Sequence, residues 1–83
     1  MMDIAQVPSL LREKGYRFFF YAYDQIEPAH VHISKEDRRA KFWLNPVELA
    51  RNQGFRAHEL SEIERIIVQH QTQFIEAWHE YFR

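Results

Sequence analysis

Two stretches of strict alternation, His30 to Ser34 and Arg39 to Leu44, flank the charged run Lys35-Glu36-Asp37-Arg38. Alternation with period two sends Val31 and Ile33 to one side, and Ala40, Phe42 and Leu44 to one side, while His30, His32, Ser34, Arg39, Lys41 and Trp43 point the other way. A charged loop of this length between two half-buried strands closes an antiparallel hairpin. With Ser34 facing Arg39, Ile33 faces Ala40, His32 faces Lys41, Val31 faces Phe42 and His30 faces Trp43, so every apolar residue lands on one side.

The rest of the chain is read around this hairpin. Tyr16 to Tyr23 is dense in aromatics, has no helix breaker and reads as a strand, with Asp24 to Pro28 as a turn behind it. Pairing Tyr23 with His30 and Tyr21 with His32 puts Phe18 and Phe20 on the apolar side. Before it, Ile4, Val7, Leu10 and Leu11 recur at helical spacing and Gly15 follows as a stop, which predicts a short helix over Pro8 to Lys14. Asn45-Pro46 ends the third strand, and Val47 to Gln53 fits either a short helix or a fourth, edge strand. Leu60, Ile63, Ile67, His70, Phe74, Ala77, Trp78 and Tyr81 fall at spacings of three and four, with Ser61 and Glu64 as a capping box. They predict one long helix of about 30 Å, at about 1.5 Å per residue. The expected fold is α+β: a three- to four-stranded antiparallel sheet with a short N-terminal and a long C-terminal helix on one face, in the order α-β-β-β-α.

Length and composition narrow what such a fold does. The 83 residues carry no cysteine, which removes disulfides, thiolate metal sites and a nucleophilic thiol. A chain this short makes one domain, residues 1–83, and buries only roughly 60–65% of its unfolded surface. The beginning lacks the basic start and apolar stretch of a signal peptide, and no apolar run approaches about 18 residues, so a cytoplasmic location is expected, with no membrane partner. The formal net charge of −1 argues against a strongly basic nucleic-acid binder. A local patch survives that objection: Lys35, Arg38, Arg39 and Lys41 cluster, while Glu59, Glu62, Glu64, Glu76 and Glu80 collect near the C-terminus.

If the helices cover the side bearing Phe18, Phe20, Val31, Ile33, Phe42 and Leu44, the other side displays Arg17, Phe19, Tyr21, Tyr23, His30, His32, Ser34, Arg39, Lys41 and Trp43. Rings that stack on bases and cations that meet phosphates are what single-stranded nucleic-acid binding uses. The alternative for the same rings is cover by a partner chain or by the fourth segment. His30 and His32 stand about 6.6 Å apart along one strand face. Such a pair can chelate Zn²⁺, but a metal needs further ligands and Asp24 is the only carboxylate near enough, so no metal and no cofactor is assigned. It can transfer protons, which is all that a metal-independent ribonuclease requires beyond a charge stabiliser. It can bind RNA without reacting. Against these stands the ordinary role of strand histidines as surface hydrogen-bonding groups. His70 on the helical apolar stripe, His58 before the helix and His79 near its end are assigned no chemistry.

Tyr21-Ala22-Tyr23-Asp24, Pro28-Ala29-His30-Val31-His32, Ala40-Lys41-Phe42-Trp43-Leu44 and Trp78-His79-Glu80-Tyr81-Phe82 together resemble the small bacterial family catalogued as domain of unknown function 4160. The resemblance covers nearly all of the chain from Gly15. It implies a prokaryotic source and a frequent gene neighbour, a small protein that forms a toxin–antitoxin pair with it. The family pattern picks out Asp24, Pro28, His30 and His32. In fold alone, Leu10 to Tyr16 followed by strands with an exposed histidine is similar to the start of HicA-type mRNA interferases, whose fold is of the double-stranded-RNA-binding kind; this chain lacks their Gly-Ser-His element. The expectation is therefore a toxin acting on RNA. His30 and His32 contact phosphate or move protons, Asp24 orients an imidazole, and Arg17, Tyr21, Tyr23, Arg39, Lys41 and Trp43 hold the nucleic acid. A small cognate antitoxin is the expected protein partner, and a homodimer is compatible with the sequence. The competing expectation is a non-catalytic module whose aromatic face meets that partner.

Overall fold

The computed structural model describes residues 9–83. Five antiparallel strands lie in the sheet in chain order: β1 (Leu11–Glu13), β2 (Tyr16–Phe19), β3 (His30–Lys35), β4 (Arg38–Leu44) and β5 (Val47–Gln53). Two helices follow, α1 (Ala57–Gln69) and α2 (Gln71–Tyr81), and a 3-10 turn, Asp24–Ile26, interrupts the passage from β2 to β3.

The central hairpin has the register that alternation demands. His30 pairs with Trp43, Val31 with Phe42, His32 with Lys41, Ile33 with Ala40 and Ser34 with Arg39. Pairing runs one step further, to Lys35 and Arg38, because Glu36 takes a left-handed φ of 56° and lets two residues turn the chain. Val31, Ile33, Phe42 and Leu44 are almost fully buried, and with Tyr16, Phe18 and Phe20 they form the sheet half of the core. Phe55, Ile63, Ile66, Ile67, Phe74 and Trp78 supply the other half. The fold is thus α+β with both C-terminal helices on one sheet face.

The N-terminal helix is corrected to a strand. Its first residue, Pro8, lies outside the described residues, but Leu11–Glu13 pairs with β2, Leu11 opposite Phe18 and Glu13 opposite Tyr16. Lys14 and Gly15 both have positive φ, 55° and 85°, and make a two-residue turn. A seven-residue helix has too few hydrogen bonds to offset its nucleation, whereas the hairpin lets Leu11 pack beside the core. The ambiguous segment Val47–Gln53 is an edge strand, which makes five strands rather than three or four.

The expected single helix is two. His70 ends α1 and begins α2; its N–H donates to Ile66 O and Ile67 O, and its Nδ1 lies 2.9 Å from Ile66 O. The apolar stripe continues across the break, which is why periodicity alone does not reveal it. Gln71 Nε2 donates to Leu44 O at 2.7 Å, tying the start of α2 to the end of β4. The first turn also begins before Ser61: Glu59, not Glu64, accepts the N-terminal Arg56 N–H at 2.9 Å.

Tyr16 joins the two halves of the core. Its ring is 1% exposed and its hydroxyl donates to Glu62 Oε1 at 2.9 Å. Burial first, and then this acceptor and the negative charge near it, push the phenol up from its ordinary value to about 12. A raised acid gives stability that is complete below the unfolded value near 10 and is lost as pH rises through the folded one. Denaturant melts are therefore expected to show stability falling by about 2–3 kcal/mol between about pH 10 and 12, and Tyr16→Phe is expected to flatten that slope.

Candidate functional site

The path from β2 to β3 builds the site. After Phe19 the chain stops extending, because Asp24 accepts the Tyr21 N–H on Oδ2 at 2.7 Å and curls Tyr21 to Asp24 into a tight turn closed by Asp24 N–H on Tyr21 O. The register of β2 on β3 is corrected accordingly. Phe19, not Tyr21, is opposite His32, and Arg17 is opposite Ser34. The slip is two residues, an even number, so each side chain keeps its face. Its effect is to bring the Asp24 carboxylate over the start of β3.

Three side chains meet there. Asp24 Oδ1 is 3.0 Å from His30 Nε2 and 3.1 Å from His32 Nε2, and Asp24 Oδ2 is also 3.1 Å from His32 Nε2. His30 Nδ1 donates to Pro28 O at 2.8 Å. Burial raises the Asp24 carboxyl, but the His30 and His32 rings and the Tyr21 N–H outweigh it, and the group is held well below the usual carboxylate range. It is ionised at any pH at which the protein works.

His30 is corrected from a surface residue to a fully buried one, with 0% exposure. The ring lies 5.2 Å from that of Trp78 and 5.7 Å from that of Trp43, so α2 covers His30 at the start of β3. His32 is the member of the group that reaches the surface, its side chain 15% exposed and its ring 4.6 Å from Tyr21 and 5.7 Å from Phe19. Phe19 is buried as well, under the Arg17 guanidinium at 4.4 Å and the edge of Tyr21 at 5.1 Å. The face opposite the helices is thus partly covered by its own side chains.

Beside His32 lies a cleft of about 120 Å³ lined by Phe19, Tyr21, Arg39, Lys41, Arg51 and Gln53. Lys41 pairs with Glu27 and sits 4.7 Å over the Trp43 ring; Arg39 donates to Glu36 O and Arg38 O at 2.9 Å each. The Lys41 partner in turn lowers the Glu27 carboxyl below its ordinary value. Of the residues expected to hold nucleic acid, Tyr21, Arg39 and Lys41 line this cleft and Arg17 flanks it through Phe19, while Trp43 is not among the lining residues and packs against His30 and under Lys41. Tyr23 is not brought to it: the residue precedes the 3-10 turn and is 63% exposed.

Alternation along the chain misses Arg51 and Gln53. Val47 and Leu49 pair with Leu44 and Phe42 on the helix side, so unbroken alternation sends Arg51 and Gln53 there too. A bulge at Ala50 intervenes, and Arg51 pairs with Lys41 and Gln53 with Arg39 on the opposite face. Only the presence of two polar residues late in an otherwise apolar-in strand signals this in the sequence.

The family model for the domain of unknown function DUF4160 matches residues 15–79, and the chain belongs to that family. The match spans the whole of the site, from Arg17 to Trp78. No curated protein and no solved structure matches the chain.

Proposed function

We propose that this member of the family is the toxin of a bacterial two-gene module and acts on RNA in the cytoplasm, at the cleft beside His32. The observation that carries the reading is the meeting of three cations, Arg39, Lys41 and Arg51, with the rings of Phe19 and Tyr21 around one buried histidine–carboxylate group. At about 120 Å³ the cleft is far smaller than the roughly 300 Å³ of a pocket for a free drug-sized ligand. It suits one group of a larger molecule, a phosphate of a chain whose neighbouring bases stack on the half-buried rings of Tyr21 and Trp43. In this reading Arg39, Lys41 and Arg51 hold phosphate, Tyr21 and Trp43 meet bases, and His32 faces the scissile linkage with Asp24 fixing its ring. His30 acts through Asp24 and does not touch RNA.

The test is a salt titration of the binding of a single-stranded RNA. Lys41→Ala and Arg51→Ala are each expected to weaken binding whatever the sequence and to reduce the slope of log affinity against log salt by about 0.7. A slope unchanged in both variants would place RNA elsewhere. One observation favours the second reading, a module that only meets its partner: Tyr23 and Ile26, on the turn beside the site, are 63% and 86% exposed. We assign this turn to contact with the cognate antitoxin, which would also mask the cleft. Tyr23→Ala with Ile26→Ser is expected to abolish co-purification of the neighbouring gene's product and to leave RNA binding unchanged.

A further inference from the structure

We propose that Asp24, His30 and His32 bind a divalent first-row transition-metal ion, Zn²⁺ foremost, through one carboxylate oxygen and the two imidazole Nε2 atoms.

The position of one proton points to the ion. Pro28 O is an acceptor only, so His30 Nδ1 carries the hydrogen, and a neutral ring then presents a bare lone pair at Nε2. That atom is buried, has no hydrogen-bond partner among the described residues, and lies 3.0 Å from Asp24 Oδ1, itself an acceptor. Away from water these two acceptors are joined only by a proton on Nε2, as in an imidazolium, or by a metal cation. An ion in place of that proton makes two bonds, with His32 Nε2 supplying a third.

Spacing agrees. Ligand bonds of about 2.0–2.1 Å at tetrahedral angles place donor atoms about 3.3 Å apart. Asp24 Oδ1 stands 3.0 and 3.1 Å from the two Nε2 atoms, and all three ligand atoms lie within 4.8 Å of one another. Their outer partners are of the kind metal ligands have. Pro28 O fixes the His30 ring through Nδ1, and the Tyr21 N–H occupies Asp24 Oδ2, leaving Oδ1 for the ion. Two imidazoles and one carboxylate on one side of a site suit Zn²⁺ or another borderline ion better than Mg²⁺ or Ca²⁺. Three protein ligands leave at least one coordination position open, and His32 is shared between this group and the cleft.

Metal binding is measured without RNA and so stands or falls apart from action on it. Tag-free protein is stripped with a chelator and titrated with Zn²⁺ and Co²⁺, followed by calorimetry and by the visible absorption of Co²⁺. One ion per chain is expected. Asp24→Asn and His32→Ala are expected to weaken binding more than about 100-fold, beyond what loss of an outer partner costs. His58→Ala and His79→Ala, exposed and outside the group, are expected to bind as the parent does. In the unaltered chain, nitrogen NMR is expected to show the His30 and His32 Nε2 resonances moving on Zn²⁺ addition while those of His70 stay. No uptake up to about 100 µM metal, or uptake that leaves the His30 and His32 resonances in place, overturns the proposal.

Discussion

A His32→Ala chain is expected to fold as the parent does and to lose growth arrest when expressed in a bacterial host without its antitoxin. The fold survives because His32 lies outside the core cluster: its ring packs on Phe19, Tyr21 and the edge of His30, and Asp24 keeps the Tyr21 N–H and the His30 contact. The lost contact costs about 1–2 kcal/mol, within the margin of a domain of this size. Under the proposed function growth arrest is lost, because His32 is the one member of the Asp24–His30–His32 group that lines the cleft. Colony counts on inducing plates measure the effect, with circular dichroism melts as the control for folding. A His32→Ala chain that remains fully toxic would remove the site from the function.

The largest structural effect is expected at Trp78. Trp78→Ala should lower stability by about 3–5 kcal/mol, and the melting temperature by more than about 12 °C. The indole is 7% exposed, meets Phe20 edge-on at 5.2 Å and Phe82 at 4.4 Å, and covers the His30 ring. Its removal leaves a cavity against Phe20 and lets water reach His30, so the Asp24 group loosens together with the core. Tyr81→Ala, half exposed on the same helix, should change stability by less than about 1 kcal/mol in the same melts. Equal effects at the two positions would mean that α2 is held by its end and not by Trp78.

The contrast between His30 and His32 explains what is legible in the sequence. Register in a hairpin is a local property, and two alternating runs with a charged turn between them leave one alignment that buries Val31, Ile33, Phe42 and Leu44 together. That alignment puts His30 and His32 on one face, as found. Whether a face is covered is not local. His30 is closed off by Trp78, some fifty residues away in sequence on the helix α2 that begins after the break at His70. Asp24 is close to the two histidines in sequence, but its distance of 3.0 Å from His30 depends on the 3-10 turn and the two-residue slip of β2, and no alternation encodes either. The bulge at Ala50 likewise reverses the facing of Arg51 and Gln53 without any glycine or proline to mark it. At the other end, Leu10 and Leu11 fit a helical stripe and a hairpin strand equally; pairing of Leu11 with Phe18 decides between them.

Membership of the family fixes the chain's relatives and leaves its chemistry to the site. Among the described residues no helix is long and apolar enough to cross a membrane. The most direct measurement of action on RNA at His32 is incubation of the purified chain, freed of any partner, with single-stranded RNA at low salt across about pH 5–9, before and after loading with Zn²⁺. Retention of RNA that weakens steeply with salt is expected, together with cleavage products that are absent with His32→Ala. Neither binding nor cleavage under any of these conditions would contradict that action and leave the face as a surface for a protein partner.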